Sequence, residues 1–186
     1  MGDESPRQCI IPLHKPSGKE LVFFFISGVV VSIPMAYFFE NVTAFVPAIV
    51  LVSVLAPFIE ELAKVFPLFY RHGETEKSIV TLGILVGLGF GISELAEYVF
   101  IVHVPLIARI PAVIFHASSA AIVAYGIAKK NPWPFYMISV SLHAVNNFFA
   151  AINISAGVFV ELVVVIIAYA LAWSLYHAAS TEKIVV

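Results

Sequence analysis

Several ionisable side chains interrupt long apolar segments of this sequence. Those that could carry chemistry are Glu60, Glu61, Lys64, Glu94, His116 and His143. An ionised side chain at the middle of a membrane-spanning helix costs about 2.5–3.5 kcal/mol on insertion scales. Ionisable groups kept at such positions mark functional sites by default, so these residues are the first candidates for chemistry.

Two imidazoles and a carboxylate are a ligand set suited to hydrolysis. Two histidines and one glutamate can hold a divalent metal ion such as zinc and leave a further position for water. His116 and His143 would supply the imidazoles, and another glutamate could act as general base. Asn147, one helical turn after His143, could donate a hydrogen bond to the oxyanion of a reacting carbonyl.

The neighbouring residues Glu60 and Glu61 also permit a mechanism without metal. Two adjacent carboxylates in a medium of low dielectric cannot both ionise easily, so one of them is expected to retain a proton. Such a carboxyl group can act as acid or base near neutral pH, while Lys64, which shares a helix face with Glu60, keeps the other ionised. The metal mechanism and the glutamate–histidine mechanism both remain open at this stage.

The glutamate pair and the two histidines also have a purely structural explanation. Glu60 and Glu61 could form an ion pair with Lys64, although two carboxylates neutralise one lysine inefficiently. His116 and His143 could instead form hydrogen bonds between packed helices.

Four other charged residues are interpreted as structural. Glu97 lies about one turn from the outer interface, where Arg109 across the joint could pair with it. Lys129 and Lys130 are interpreted as topology signals alone.

Apolar helices are the elements that must position the candidate residues. Hydrophobic residues make up 61% of the 186 residues, against about 45–50% in soluble domains. The expected spans are 20–39, 43–70, 78–102, 105–128, 133–151 and 155–176. We therefore predict an all-α integral membrane protein, a bundle of about six transmembrane helices. Residues 1–19 are expected to form a polar cytosolic leader, 20–178 the membrane domain and 179–186 a cytosolic tail.

Lysine and arginine predict the orientation, because cytoplasmic loops carry an excess of both. The loop and tail cations all fall on one side of the predicted spans: Arg7, Lys15, Lys19, Arg71, Lys77, Lys129, Lys130 and Lys183. This side is assigned as cytoplasmic, which places both termini inside the cell and the chain in the cell membrane. No basic run typical of nucleic-acid binding occurs, and one cysteine, Cys9, excludes an internal disulfide and a cysteine metal cluster.

Helix geometry places most of the candidate residues at one depth. At 1.5 Å per residue, Glu60 and His143 lie about 15 Å, and His116 about 18 Å, from the cytoplasmic ends of their helices. Glu94 lies about 24 Å from that end if its helix begins at Ser78, which disagrees with the other three.

A stripe of glycine residues leads along the third span to Glu94. It consists of Gly83, Gly87 and Gly91. Such a stripe lets another helix approach closely, so this face and Glu94 are predicted to point into the bundle.

Three short motifs on separate predicted helices resemble those of a known family. They are Glu60-Glu61-x-x-Lys64, Phe90-x-x-x-Glu94 and His143-x-x-x-Asn147. In this order they resemble the PrsW family of intramembrane proteases, which is grouped with the CAAX-processing and bacteriocin-processing proteases. His116-Ala-Ser-Ser119 is similar to a further polar motif of PrsW-like proteins.

The resemblance implies hydrolysis of a peptide bond of a membrane-anchored protein, within or beside the bilayer. It implies that Glu60 or Glu61 activates water, that His143 binds metal or assists, and that Asn147 stabilises the oxyanion. The expected metal ligands are Glu94, His116 and His143, with zinc as the expected ion. Glu94 stands where the CAAX-processing branch has histidine, which favours the PrsW branch and argues against prenyl-protein processing.

Two other functions compete with proteolysis. A proton- or cation-coupled transporter also buries glutamate and histidine relays, although the predicted spans show no inverted repeat. A non-catalytic membrane scaffold of the same fold is the second alternative.

Overall fold

A computed structural model describes residues 13–42, 45–71, 74–152 and 155–185, and most of these are helical. The helices are α1 (Gly18–Val42), α2 (Ala48–Val50), α3 (Ala56–Val65), α4 (Glu76–Phe100), α5 (Leu106–Ala128), α6 (Pro132–Ile152) and α7 (Ser155–Ala178). Strands β1 (Glu74–Thr75) and β2 (Ile184–Val185) form a short antiparallel pair. The predicted all-α fold is confirmed. Cys9 and most of the expected leader lie outside the described residues.

Five of these helices are long and apolar enough to cross a bilayer, which makes the chain a multi-pass membrane protein. They are α1 over Gly18–Phe39, α4, α5, α6, and α7 over Gly157–Ala178. The second predicted span is also helical from Ala48 to Tyr70, but it changes from α to π geometry at Leu51–Leu55 and to 3-10 geometry at Phe66–Tyr70. Its charged turn makes it less apolar than the others. That it crosses the membrane, and so the count of six, stays a prediction.

Close glycine contacts place α4 between α1 and α5. A Cβ atom added to Gly89 would lie 2.0 Å from the carbonyl oxygen of Phe25 on α1, and one added to Gly87 would lie 2.3 Å from that of His116 on α5. Real Cβ atoms do not approach so closely, so only glycine permits these backbone contacts. The predicted packing role of the glycine stripe is thereby confirmed.

The apolar core occupies the half of the bundle in which α4 begins. Its largest cluster joins side chains of several helices: Phe24, Val65, Leu68, Ile79, Leu82, Val86, Ala120, Val123, Ala124, Ala128, Tyr136, Val140 and Val185. α5 packs against α4, α6 and α7, and α3 packs against α6. The opposite half contains a cavity of about 520 Å³.

Glu76, at the start of α4, binds the residue after α5 and the segment after α7. This buried carboxylate accepts hydrogen bonds from Lys129 Nζ at 2.5 Å and from the Ser180 backbone N–H at 3.0 Å, and Lys183 Nζ lies 3.3 Å away. The hydrogen bond to Glu76 raises the pKa of the Lys129 ammonium. The interpretation of Lys129 as a topology signal alone is therefore wrong, because this lysine also stabilises the fold.

Candidate metal and catalytic site

Glu61 of α3 lies at the centre of a buried polar network. Its Oε1 atom accepts hydrogen bonds from Lys64 Nζ at 2.6 Å, His143 Nδ1 at 2.8 Å and Ser119 Oγ at 3.2 Å. Glu61 and Lys64 are both fully buried. Lys64 therefore pairs with Glu61, three residues away, and not with Glu60, the residue four away that the helical spacing favoured.

The contact with Glu61 determines which nitrogen of His143 is protonated. An ionised carboxylate only accepts hydrogen bonds, so His143 Nδ1 carries the hydrogen and Nε2 keeps its lone pair. His143 Nε2 lies 3.8 Å from Oε2 of Glu60. This is the arrangement of a metal-binding histidine, whose second nitrogen is held by a carboxylate.

His116 of α5 is held at both ring nitrogens. Its Nδ1 atom lies 2.8 Å from Lys64 Nζ and its Nε2 atom 2.6 Å from Glu94 Oε2. Because an ammonium only donates, Nδ1 accepts and Nε2–H donates to the carboxylate. The other oxygen of Glu94 lies 3.0 Å from Arg109 Nη2. One connected network therefore runs through Arg109, Glu94, His116, Lys64, Glu61 and His143.

Glu94 and His116 are in contact, so the expectation that Glu94 lies at a different depth from the other candidate residues is wrong. Side chains lean toward the N-terminus of their own helix. The long, closely packed helices α4 and α5 are joined by a short turn, so they run in opposite directions. Glu94 therefore leans toward the middle of the bundle while His116 leans toward the end at which α4 ends, and the two side chains meet.

Glu60, His116 and His143 form a group that could hold a metal ion. Each offers one ligand atom, and these atoms all lie within 4.8 Å of one another. The two imidazole rings are 5.3 Å apart between centroids, and both histidines are buried. Two nitrogens and a carboxylate oxygen suit zinc. The residues present fit a divalent metal once His116 releases one of its two hydrogen-bond partners, Lys64 or Glu94, since both of its ring nitrogens are engaged. Glu94, the third ligand expected from the sequence, contacts His116 and Arg109.

A cavity of about 520 Å³ adjoins this group. Its wall includes Glu60, Glu94 and Asn147, and it also includes Met35, Phe39, Leu51, Val52, Ala56, Phe90, Glu97, Tyr98, Arg109, Asn146, Ala150 and Ala151. Many of these residues lie on the last turns of α1, α4 and α6 or near the start of α5. The cavity therefore lies in the half of the bundle opposite the apolar core.

The sequence model of the PrsW family of intramembrane metalloproteases matches residues 17–173 of the chain. The chain belongs to this family. The match covers α1, α4, α5, α6 and most of α7, and the predicted family resemblance is confirmed. No curated protein and no solved structure matches the chain significantly. Membership implies a metal ion, a lipid bilayer and a membrane-protein substrate.

Asn147 of this PrsW-family site is positioned by an irregular turn. Its Nδ2 atom donates a hydrogen bond of 3.1 Å to the carbonyl oxygen of Val52, which lies in the π-helical turn Leu51–Leu55. π-helical turns are rare and often occur at functional sites. The bond holds the side-chain amide at the cavity wall and leaves its second N–H for another acceptor.

Sequence reasoning missed two contacts of the PrsW-family site. Arg109 pairs with Glu94 and lies 3.8 Å from the ring centroid of Tyr98. The pairing with Glu97 that the sequence suggested stays a prediction. The position of Arg109 just inside an apolar span was the sequence signal that could have identified it as a site residue. No sequence signal identified the carbonyl of Val52 as the partner of Asn147, because backbone groups carry no residue type.

Proposed function

We propose that the chain is a zinc-dependent intramembrane endopeptidase that cleaves membrane-anchored proteins at a bond held in the cavity of about 520 Å³. The observation that carries this proposal is the group of Glu60, His116 and His143, whose ligand atoms lie within 4.8 Å of one another beside that cavity. Membership of the PrsW family supports the reaction class. No observation comparably favours a transporter or a scaffold.

His116, His143 and Glu60 would hold the ion, which when bound activates water and polarises the scissile carbonyl. Glu61 is a positioning residue in this proposal, because its engaged oxygen faces His143 Nδ1 and the side chain is fully buried. It orients the imidazole, as outer carboxylates commonly do for metal-binding histidines. Lys64 keeps Glu61 ionised through their 2.6 Å contact.

Glu94 is the general base in this proposal. It lines the cavity, Arg109 lies 3.0 Å from one oxygen and favours the ionised form, and the other oxygen lies beside His116. Glu94 takes a proton from the attacking water and returns it to the amine that leaves when the C–N bond breaks. Asn147 donates to the oxyanion of the tetrahedral intermediate. This proposal exchanges two roles predicted from the sequence, in which Glu60 activates water and Glu94 binds the metal.

Matched variants separate a ligand from a base. Glu60→Gln is expected to lose bound zinc and cleavage together. Glu94→Gln is expected to keep zinc while cleavage falls by roughly 10²–10⁴-fold, the usual contribution of a general base. Zinc per chain is measured on purified protein, and cleavage on a panel of single-span membrane proteins in proteoliposomes. Glu161→Gln, a glutamate of α7 outside the cavity wall, is the control.

Two outcomes would contradict the assignment of Glu60 as metal ligand and Glu94 as general base. If Glu94→Gln loses zinc and Glu60→Gln retains it, the roles predicted from the sequence are correct. If neither variant nor His143→Ala changes the zinc content, the metal site is wrong and the glutamate–histidine mechanism takes its place.

We also propose that the cavity opens toward the outer face of the membrane. The cations of the loops and tail, such as Lys129 and Lys183, lie at the opposite end of the bundle from the cavity-lining residues Ala150 and Ala151. The positive-inside rule assigns the cationic end to the cytoplasm. Cleavage would then occur in the outer half of the bilayer or beside it.

A further inference from the structure

A second cavity, of about 310 Å³, lies between α4, α5 and α7. It is lined by Ile84, Leu88, Ile114, Ala117, Ser118, Ala121, Tyr169, Ala172, Trp173 and Tyr176. The three alanines are its small side chains, and three aromatic residues of α7 supply one wall. None of these residues lines the cavity of about 520 Å³ beside Glu60. We call this feature the α7 groove.

The α7 groove has most of its length within one leaflet of a bilayer. Leu88 lies about 16 Å further along α4 than Lys77, and Tyr169 lies about 10 Å from Tyr176 along α7. The hydrocarbon core is about 30 Å thick, so one leaflet is about 15 Å. The groove thus extends from near the membrane surface at which α4 begins to somewhat beyond mid-membrane, because Ile114 lies about 21 Å from the end of α5.

Lys77 lies at the surface end of the α7 groove. Lys77 Nζ lies 4.0 Å from the ring centroid of Tyr176. Among the described residues, no carboxylate lies within ion-pairing distance of this ammonium, whereas Lys129 and Lys183 at the same end both bind Glu76. The charge of Lys77 is therefore available to an anion from outside the chain.

We propose that the α7 groove binds an anionic phospholipid, with one acyl chain between α5 and α7 and the phosphate on Lys77. The length, apolar lining and cationic end of the groove match a lipid of that leaflet. A transmembrane helix or a second copy of the chain would instead need a complementary face along both leaflets. Tyr and Trp near the surface end are typical of the lipid interface. This proposal is independent of the proteolytic function.

Native mass spectrometry of the purified chain, with dioleoyl phosphatidylglycerol or dioleoyl phosphatidylcholine added, tests the site. The wild type is expected to bind one phosphatidylglycerol about fivefold more tightly than phosphatidylcholine. This is the gain in affinity expected from one lysine beside an anionic headgroup. Lys77→Gln is expected to abolish the preference. Ala117→Leu, which fills the groove, is expected to weaken binding of both lipids. Lys130→Gln removes an exposed lysine outside the groove and is expected to behave as wild type.

Three results would overturn the proposal. The first is a phosphatidylglycerol preference that persists in Lys77→Gln. The second is unchanged binding of both lipids in Ala117→Leu. The third is a dimer that Ala117→Leu dissociates, because a second copy would then occupy the groove.

Discussion

Substitution of Gly87 by alanine would disturb the site through the backbone alone. The added Cβ would lie 2.3 Å from the carbonyl oxygen of His116 and 2.8 Å from the Cα atom of Ala117. These are backbone atoms of α5, so no side-chain rotation can relieve the contact. Since Cβ contacts under 3.0 Å essentially never occur, α4 and α5 must separate locally by at least 3.0 − 2.3 = 0.7 Å.

The displacement acts directly on His116, which Lys64 and Glu94 hold at 2.8 Å and 2.6 Å. Overpacking of this kind typically costs about 1–3 kcal/mol of stability. A misplacement of about 1 Å can cost roughly 100-fold in rate. We therefore expect Gly87→Ala to fold with a lower melting temperature, to bind less zinc per folded chain and to lose cleavage by about that factor.

Gly83→Ala is the matched control, because it causes a similar clash one turn nearer the start of α4. Its Cβ would lie 2.5 Å from the Cβ atom of Ala124, away from the network around His116. Gly18→Ala, which meets nothing within 4 Å, sets the baseline. Thermal unfolding in detergent, zinc content and proteoliposome cleavage are measured on each variant.

Gly83→Ala is expected to lose stability but to retain zinc and cleavage. If both glycine variants lose zinc in proportion to their stability, the contact between Gly87 and His116 has no special role in positioning the site. A Gly87→Ala variant with unchanged zinc and cleavage would refute the argument directly.

Two further predictions concern the buried ion pair and the membrane orientation. Lys64→Met is expected to lower the free energy of unfolding by about 3–5 kcal/mol, because it leaves Glu61 as a buried charge without its lysine. Adding Glu61→Met should restore most of that stability, as measured by thermal unfolding. A double variant no more stable than Lys64→Met would contradict this. In a Cys9→Ser background, Ala151→Cys should react with an impermeant maleimide added outside intact cells, and Lys183→Cys only after permeabilisation. The reverse labelling pattern would invert the proposed topology.

Much of the secondary structure follows from apolar runs and their joints. The expected spans agree with the observed helices to within a few residues at most of their ends, as with 105–128 against α5 (Leu106–Ala128). Intrahelical hydrogen bonds satisfy every backbone group locally, so a long apolar run in a membrane has little choice but helix. The limits of the leader and tail stay predictions.

The sequence by itself identified most of the residues of the candidate site. Ionisable residues in apolar surroundings are costly, so Glu61, Glu94, His116 and His143 could be identified without coordinates. The glycine stripe likewise identified the packing face of α4, because close helix contact requires small residues.

Only the tertiary structure decided how these residues are paired. Helical periodicity allowed Lys64 to face Glu60, but packing against α5 and α6 directs it to Glu61, His116 and Ser119. Contacts across helices depend on tilt and on the lean of each side chain, which one-dimensional spacing does not contain. For the same reason, the meeting of Glu94 with His116, and the position of Glu60 at the cavity wall, became visible only once the helices were assembled.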